Sequence, residues 1–168
     1  LTDNKGVTVT EKSWPGKYLL VFFGFSNCPD ICPATLQKLT TLMDNYDPTG
    51  AKIQPILITV DPARDTPEVL NKYLTAFNSH IVALTGTPEQ ITAVEKAYKV
   101  YATPATASHD HHEAGHEGMN HDAAKTDAPD AAGEKAEQVE HSGFVYLMAP
   151  DGSALTVLGS ELTAEDML

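Results

Sequence analysis

Basic residues, cysteines and long apolar segments are all scarce in this chain of 168 residues. Lysine and arginine together number 11 against 23 aspartates and glutamates, which gives a formal net charge of −12. A protein of that sign repels nucleic acid and anionic membrane surfaces, so we expect neither as a partner, whereas a cation would be attracted. The longest apolar run, Tyr18 to Phe25, has eight residues and is too short to span a bilayer.

Apolar patterns along most of the chain predict an alternation of strands and helices. Continuous apolar runs are typical of strands covered on both faces, and each run is followed by helical periodicity. In chain order we predict a strand at Tyr18–Phe25, a helix carrying Leu36, Leu39, Met43 and Tyr46, a strand at Ile56–Val60, a helix capped by Thr66, a strand at Ile81–Leu84 and a helix capped by Thr87.

The end of the chain predicts a hairpin rather than another parallel strand. Segments 144–149 and 154–158 flank the turn sequence PDGS, and Thr163 to Asp166 has the pattern of a helix start. This order predicts a single α/β domain over residues 1–168, with a mixed central sheet and helices on both faces. The thioredoxin fold has this order of elements: a strand, a cysteine pair and a helix, followed later by a hairpin.

Residues 102–138 differ in composition from everything around them. Their one large apolar side chain is Met119, and eight acidic residues against two lysines give them a charge of −6. Such a segment cannot bury enough apolar surface to offset the entropy of ordering, so we predict a flexible acidic insertion within the domain.

The insertion holds most of the histidine in the chain. Five of the seven histidines lie in it, and they are His109, His111, His112, His116 and His121. Together with Met119 they are candidates for an auxiliary metal-gathering arm, the alternative being a solvated linker whose histidines have no role. The segment HEAGH matches the zinc protease pattern HExxH, but no apolar face surrounds it, so we interpret that match as accidental.

The only two cysteines, Cys28 and Cys32, lie in the segment NCPDICP. Because Pro is favoured at the start of a helix, we predict that the helix begins at Pro33 with Cys32 near its N-cap, where the helix dipole stabilises thiolate. The spacing permits a disulfide and equally permits two sulfurs on one ion. A redox couple, a metal clamp and a structural staple therefore all remain open.

Two departures from the usual redox pattern favour a metal. Thioredoxin-type oxidoreductases have two residues between their cysteines rather than three, and they place a proline just before the hairpin. Here the approach to the hairpin, VEHSGFVYLM, contains no proline and has His141 instead. Two thiolates and an imidazole form a ligand set suited to copper, especially Cu(I). Asp61, at the end of the predicted second strand, either orients this site or simply forms a turn.

Four segments resemble the Sco/SenC family, copper-binding proteins with a thioredoxin fold. The segments are KYLLVFFGFSNCPDICPATL, ITVDPARDTPEVLNKYLTAF, ALTGTPEQI and EHSGFVYLMAPDG. The resemblance implies that Cys28, Cys32 and His141 bind copper, as Cu(I), Cu(II) or both. It also implies a role at the copper A centre of cytochrome c oxidase. Such proteins are periplasmic or lie in the intermembrane space, usually tethered by an N-terminal anchor that this chain does not show.

The expected function is that of a copper metallochaperone rather than an enzyme. Copper would be handed by ligand exchange to the copper A subunit of cytochrome c oxidase, and another periplasmic copper chaperone is a candidate second partner. The alternative is a thiol–disulfide oxidoreductase in which Cys28 and Cys32 keep the cysteines of the oxidase copper site reduced. A redox or copper sensor is a third interpretation.

Deletion of residues 105–135 tests the metal-gathering role of the insertion. We expect the deletion to lower the copper stoichiometry or the transfer rate, because the loosely binding histidines are lost while the high-affinity site is kept. Copper content after gel filtration and the rate of transfer to a recipient check this. Unchanged stoichiometry together with unchanged transfer would contradict it.

Overall fold

The computed structural model describes residues 1–99, 143–159 and 163. The elements of this part of the chain are β1 (Thr2–Asp3), β2 (Tyr18–Gly24), α1 (Ile31–Tyr46), β3 (Ile53–Thr59), α2 (Pro67–Leu74), β4 (Val82–Thr85), α3 (Pro88–Tyr98), β5 (Val145–Met148) and β6 (Ala154–Leu158). The predicted alternation and hairpin are confirmed. The predicted insertion at 102–138 and the helix start at Thr163–Asp166 fall on residues outside the described ranges, apart from Thr163.

The strands form one mixed sheet in the order β1-β4-β3-β2-β5-β6. Strands β2, β3 and β4 run parallel, whereas β5 runs antiparallel to β2 and β6 antiparallel to β5. Strand β1 pairs antiparallel with β4 and was missed in the sequence, because two residues are too few to show a periodicity. Three parallel strands place the carboxyl ends of β2 and β3 side by side, which is where loops commonly form sites.

Alternating residues of β2 divide the core between the two faces of the sheet. Leu20 and Phe22 pack on the face covered by α1 and α2, in a buried cluster completed by Cys32, Leu36, Leu39, Leu42, Met43, Leu57, Leu70, Leu74, Ile81, Ala83, Val145 and Leu158. Leu19, Val21 and Phe23 pack on the opposite face with Val9, Ile56, Ile58, Leu84 and Ile91 of α3. Helices therefore cover both faces, as the apolar runs predict.

Strand β3 begins earlier than the sequence predicts, at Ile53 instead of Ile56, so that Pro55 lies within a central strand. Pairing with β4 starts only at Ile56, opposite Val82. Pro55 has no N–H to donate, and it precedes the first residue that pairs with β4. No hydrogen bond between these strands is lost, so the strand tolerates the proline. The side chain of Gln54 instead donates to the carbonyl of His80 at 2.7 Å, which ties this edge to β4.

Both predicted helix caps are present. The Thr66 hydroxyl accepts a hydrogen bond from the Val69 backbone N–H at 3.3 Å. At the start of α3, Thr87 and Gln90 form a reciprocal capping box, with distances of 3.2 and 3.0 Å. These local bonds place α2 and α3 in register with the strands before them. Among the described residues, no helix is both long and apolar enough to cross a membrane.

A buried carboxylate organises the connection from α1 to β3. Asp47 is 5% exposed, and its carboxylate accepts backbone N–H bonds from Ala51, Lys52 and Ile53 at 3.2, 2.8 and 2.8 Å. Burial alone would raise its pKa, but the three N–H donors and the Thr49 hydroxyl together hold that pKa below its usual range. The charged form of Asp47 thus stabilises the fold.

Replacement Asp47→Asn should destabilise the protein at neutral pH by about 1–3 kcal/mol, because an amide leaves backbone donors of the loop poorly matched. Since the folded pKa is depressed, this contribution is present above the ordinary pKa of aspartate and is lost as the pH falls through the folded value. Urea denaturation of both proteins at several pH values checks this. Asp44→Asn, at an exposed position bonded to Asn78, is the matched control. Equal losses for both variants would contradict the prediction.

Candidate functional site

The candidate site lies at the edge of the sheet where β2 and β3 end. Strand β2 ends at Gly24, and the loop that follows carries Cys28 before α1 begins. Strand β3 ends at Thr59, and the next loop carries Asp61 and Asp65. A backbone hydrogen bond from the Val60 N–H to the Gly24 carbonyl, 2.9 Å long, joins the two loops at their roots. The parallel pairing thus brings together segments more than thirty residues apart.

Helix α1 begins at Ile31, after the N-cap residue Asp30. The predicted start at Pro33, with Cys32 near the N-cap, is wrong by two residues, and Cys32 lies in the first turn. Pro33 fits there because the first N–H groups of a helix have no intrahelical acceptor, so the missing donor costs no hydrogen bond. The first helical bond then runs from the Ala34 N–H to the Asp30 carbonyl at 3.2 Å.

The two cysteines are not joined by a disulfide, and their thiols are adjacent and unequally buried. Cys32 is 0% exposed, whereas Cys28 is half-buried in the loop. Burial raises the pKa of the Cys32 thiol, and a hydrogen bond between the two thiols raises it further, against the opposing effect of a hydrogen bond from the Phe25 backbone. The pKa of this thiol is thus raised rather than lowered, against the expectation from the helix start, because burial disfavours the charged form of the sulfur.

Gly24 provides the space that the Cys32 thiol occupies. A Cβ at this position would lie 2.7 Å from the Cys32 Sγ, closer than real Cβ atoms approach, and a tight 3.0 Å from the Phe22 ring. The last residue of β2 is therefore a glycine for steric reasons. The sulfur rests directly against the end of a central strand, shielded from water.

Asp65 ties the two loops together. Its carboxylate is 1% exposed and accepts hydrogen bonds from the Ser26 backbone N–H at 3.0 Å, from the Ser26 hydroxyl and from the Thr59 hydroxyl at 2.7 Å. Its negative charge is also one of the causes that raise the pKa of Cys32. Sequence reasoning missed this residue. The sequence feature that could have indicated Asp65 is a second carboxylate directly before the Thr66 cap, in the segment VDPARDTP.

Asp61, the carboxylate singled out from the sequence, makes turn contacts. Its carbonyl accepts the N–H groups of Arg64 and Asp65, at 3.2 and 3.0 Å, and its own N–H donates to Thr59 Oγ1 at 3.0 Å. Its carboxylate pairs with the exposed Arg64 side chain at 3.5 Å. These contacts agree with the turn-forming interpretation, and a role in orienting a metal site stays a prediction.

The third predicted copper ligand, His141, lies outside the described residues. So do the auxiliary candidates of the insertion, which are His109, His111, His112, His116, Met119 and His121. Within the described ranges, no group of three or more histidine, cysteine, aspartate or glutamate side chains is arranged to hold a metal ion. The described part of the site thus brings together two sulfurs. The chain enters β5 at Val145, opposite Phe22, at the same edge of the sheet as these sulfurs.

Comparison with protein families and curated proteins gives one consistent result. The family model described as SCO1/SenC matches residues 1–168. "Protein SCO2, mitochondrial" of Saccharomyces cerevisiae is 40% identical over 161 residues, which is 95% of this chain and 46% of that protein. "Protein SCO1 homolog, mitochondrial" of Homo sapiens is 33% identical, again over 95% of this chain and 46% of that protein. The chain spans about half the length of these relatives.

Solved structures share the fold. ScoI of Bradyrhizobium japonicum, solved with copper bound, is 32% identical with a TM-score of 0.76, over 98% of this chain and 89% of that one. Yeast Sco1 with copper bound is 35% identical with a TM-score of 0.73, over 99% of this chain and 80% of that one. BsSco, described as a member of the Sco family of cytochrome c oxidase assembly proteins, is 24% identical with a TM-score of 0.66, over 99% and 84% of the two chains.

Asp65→Asn should destabilise the protein by about 1–3 kcal/mol, because an amide cannot accept from all of its buried donors. Asp61→Asn is the matched control four residues earlier, and since it breaks a partly exposed ion pair it should cost less than about 1 kcal/mol. Denaturant unfolding of both variants checks the order of the two losses. A larger loss at Asp61 would contradict the assignment of Asp65 as the residue that joins the loops.

Proposed function

The chain belongs to the SCO1/SenC family, and on this premise we propose that it is a copper metallochaperone of cytochrome c oxidase assembly. Copper is held by the thiolates of Cys28 and Cys32 and the imidazole of His141, and is delivered to the copper A centre of the oxidase. The observation that carries the proposal is the pair of adjacent, hydrogen-bonded thiols at the sheet edge. Two relatives solved with copper bound support it.

The chemistry of the donors favours copper over harder cations. Thiolates are soft ligands, and with one imidazole they suit Cu(I) in three-coordinate geometry. Cys32 lies in apolar surroundings that disfavour an isolated negative charge. A bound cation compensates that charge, so the buried thiolate forms together with metal binding, and loading the site releases protons.

His141 is proposed as the third donor because of where the chain enters the sheet. It lies four positions before Val145, and Val145 pairs with Phe22 two residues before Gly24. Four residues span at most roughly 14 Å, so a ligand at position 141 is within reach of the edge that carries the sulfurs.

Unequal burial of the two sulfurs supports transfer by ligand exchange. Cys28 is half-buried and faces an incoming ligand, whereas Cys32 is fully enclosed. A thiolate of the recipient first takes the place of the Cys28 sulfur, while Cys32 keeps the ion bound. The remaining donors leave in turn, so the copper is never without ligands.

A second function, thiol–disulfide exchange, is favoured by the same hydrogen bond between the thiols. The more accessible Cys28 attacks a sulfur of a partner disulfide as thiolate, and the partner's other sulfur leaves and takes a proton. Cys32 then attacks the Cys28 sulfur and loses its proton. A Cys28–Cys32 disulfide forms and the partner dithiol is released, with two electrons passing to the partner. A periplasmic dithiol reductant restores the pair.

The proposed location is the periplasm, with the domain tethered to the inner membrane. The copper A subunit of cytochrome c oxidase and a second periplasmic copper chaperone are the proposed partners. The net charge of −12 suits encounters with basic surfaces on such proteins. Histidines of the insertion are proposed to gather copper ahead of the main site.

The ligand set is tested by measuring copper binding in three variants, Cys28→Ser, Cys32→Ser and His141→Ala. We expect each variant to lose Cu(I) affinity and the sulfur-to-copper charge-transfer absorption of the Cu(II) form, because each removes one of three donors. His80→Ala is the matched histidine control, since its ring hydrogen-bonds to Pro48 near the opposite end of β3. Copper titration against a chromophoric chelator and absorption spectra provide the measurements.

Assembly of cytochrome c oxidase in cells distinguishes copper delivery from thiol–disulfide exchange. If the protein delivers copper, His141→Ala should fail to support oxidase assembly at normal copper supply, whereas disulfide exchange needs only the cysteines. Normal oxidase activity in cells that carry His141→Ala would overturn the chaperone proposal in favour of the reductase.

A further inference from the structure

Tyr73, on α2, lies against the buried cluster that contains Cys32. Cys28 and Phe77 also pack against this cluster, and the rings of Tyr73 and Phe77 meet edge to face with centroids 5.6 Å apart. Tyr73 of α2 and Phe77, just beyond the end of that helix, thus form an aromatic pair against the cluster that contains Cys32. The ring itself needs no further explanation, because it fills apolar space as phenylalanine would.

The hydroxyl of Tyr73 does require explanation. It is buried, and among the described residues it has no hydrogen-bond partner. Burying a hydroxyl in this way costs about 1–3 kcal/mol, and buried tyrosine hydroxyls normally have a partner. A phenylalanine would keep the packing without that cost. The hydroxyl would therefore be satisfied in a state of the site that offers it a hydrogen-bond acceptor.

Tyr73 and Cys28 both pack against the buried cluster that contains Cys32, so the sulfurs of the candidate site are acceptors that belong to this region. Burial raises the pKa of the Tyr73 phenol, and negative charge on Cys32, on Cys28 and on Asp65 raises it further, in that order. A tyrosine hydroxyl is a hydrogen-bond donor at neutral pH whatever the size of that shift. The Asp65 carboxylate already accepts hydrogen bonds from Ser26 and Thr59. The two sulfurs are the acceptors that change between states.

Metal binding is the event that turns the sulfurs into strong acceptors. In the free protein the thiols of Cys28 and Cys32 are hydrogen-bonded to each other. Once both are thiolates, that bond no longer exists and each sulfur carries negative charge within low-polarity surroundings. A charge-assisted hydrogen bond from a nearby hydroxyl is then strongly favourable.

We propose that Tyr73 is a positioning residue of the dithiol site, whose hydroxyl donates a hydrogen bond to a cysteine sulfur when that sulfur binds copper as thiolate. This inference rests on the proposed copper binding. The hydrogen bond draws electron density away from the sulfur and weakens its donation to the metal. Weaker thiolate donation favours Cu(I) over Cu(II), because hydrogen bonding around a cysteine ligand tunes the potential of the metal.

Tyr73→Phe tests the proposal, with Tyr46→Phe as the matched control. Tyr46 is 48% exposed at the last residue of α1, whereas Cys32 lies in the first turn of that helix. In Tyr73→Phe, the sulfur-to-Cu(II) charge-transfer band should move to lower energy, and the ratio of Cu(I) to Cu(II) affinity should fall roughly tenfold. The melting temperature should not fall, since the hydroxyl removed has no partner in the free protein. A band and an affinity ratio equal to those of wild type would overturn the proposal.

A second measurement uses the wild-type protein itself. Adding Cu(I) should shift the ring Cζ resonance of one labelled tyrosine, and that resonance should be missing from Tyr73→Phe and present in Tyr46→Phe. If no such resonance responds while Cu(I) binds, the role of Tyr73 is wrong and copper binding stands. If wild type binds no Cu(I) at Cys28 and Cys32, both proposals fall.

Discussion

The burial of the Cys32 sulfur against the end of β2 is the constraint on which the site depends. Gly24 leaves the room for it, and the Phe22 ring lies beside that room. In these surroundings a thiolate without a compensating charge is unfavourable, so the sulfur is held as a thiol until a cation or a new covalent bond takes the place of the proton. Both proposed functions of the chain satisfy this condition.

The framework around the sulfurs is built from hydrogen bonds between protein groups. Asp65 receives two hydrogen bonds from Ser26 in the cysteine loop and one from Thr59 at the end of β3, and a backbone bond joins Val60 to Gly24. These contacts hold the cysteine loop against the sheet and do not involve the sulfurs. A site prepared in this way loses less conformational freedom on binding, which favours affinity. Cys28, half-buried in the same loop, remains the accessible member of the pair.

Local patterns in the sequence predicted most of the fold. The apolar run of β2 and the hairpin around PDGS depend on neighbouring residues alone, as do the caps at Thr66 and Thr87, and all were found as predicted. The cysteine spacing and the resemblance to Sco/SenC segments pointed to the site, and the family match agrees with that resemblance. His141 and the histidines of the insertion stay predictions, since they lie outside the described residues.

By itself, then, the sequence determined the order of the elements from β2 onward, the family and the pair of sulfurs, because these are carried by short segments and their spacing. The tertiary structure decided that α1 starts at Ile31 and that Cys32 is a buried thiol rather than a helix-stabilised thiolate. It also decided that Asp65 joins the loops and that the Tyr73 hydroxyl is buried without a hydrogen-bond partner among the described residues. Burial and hydrogen bonding there depend on segments that only folding brings together, and no local pattern encodes them.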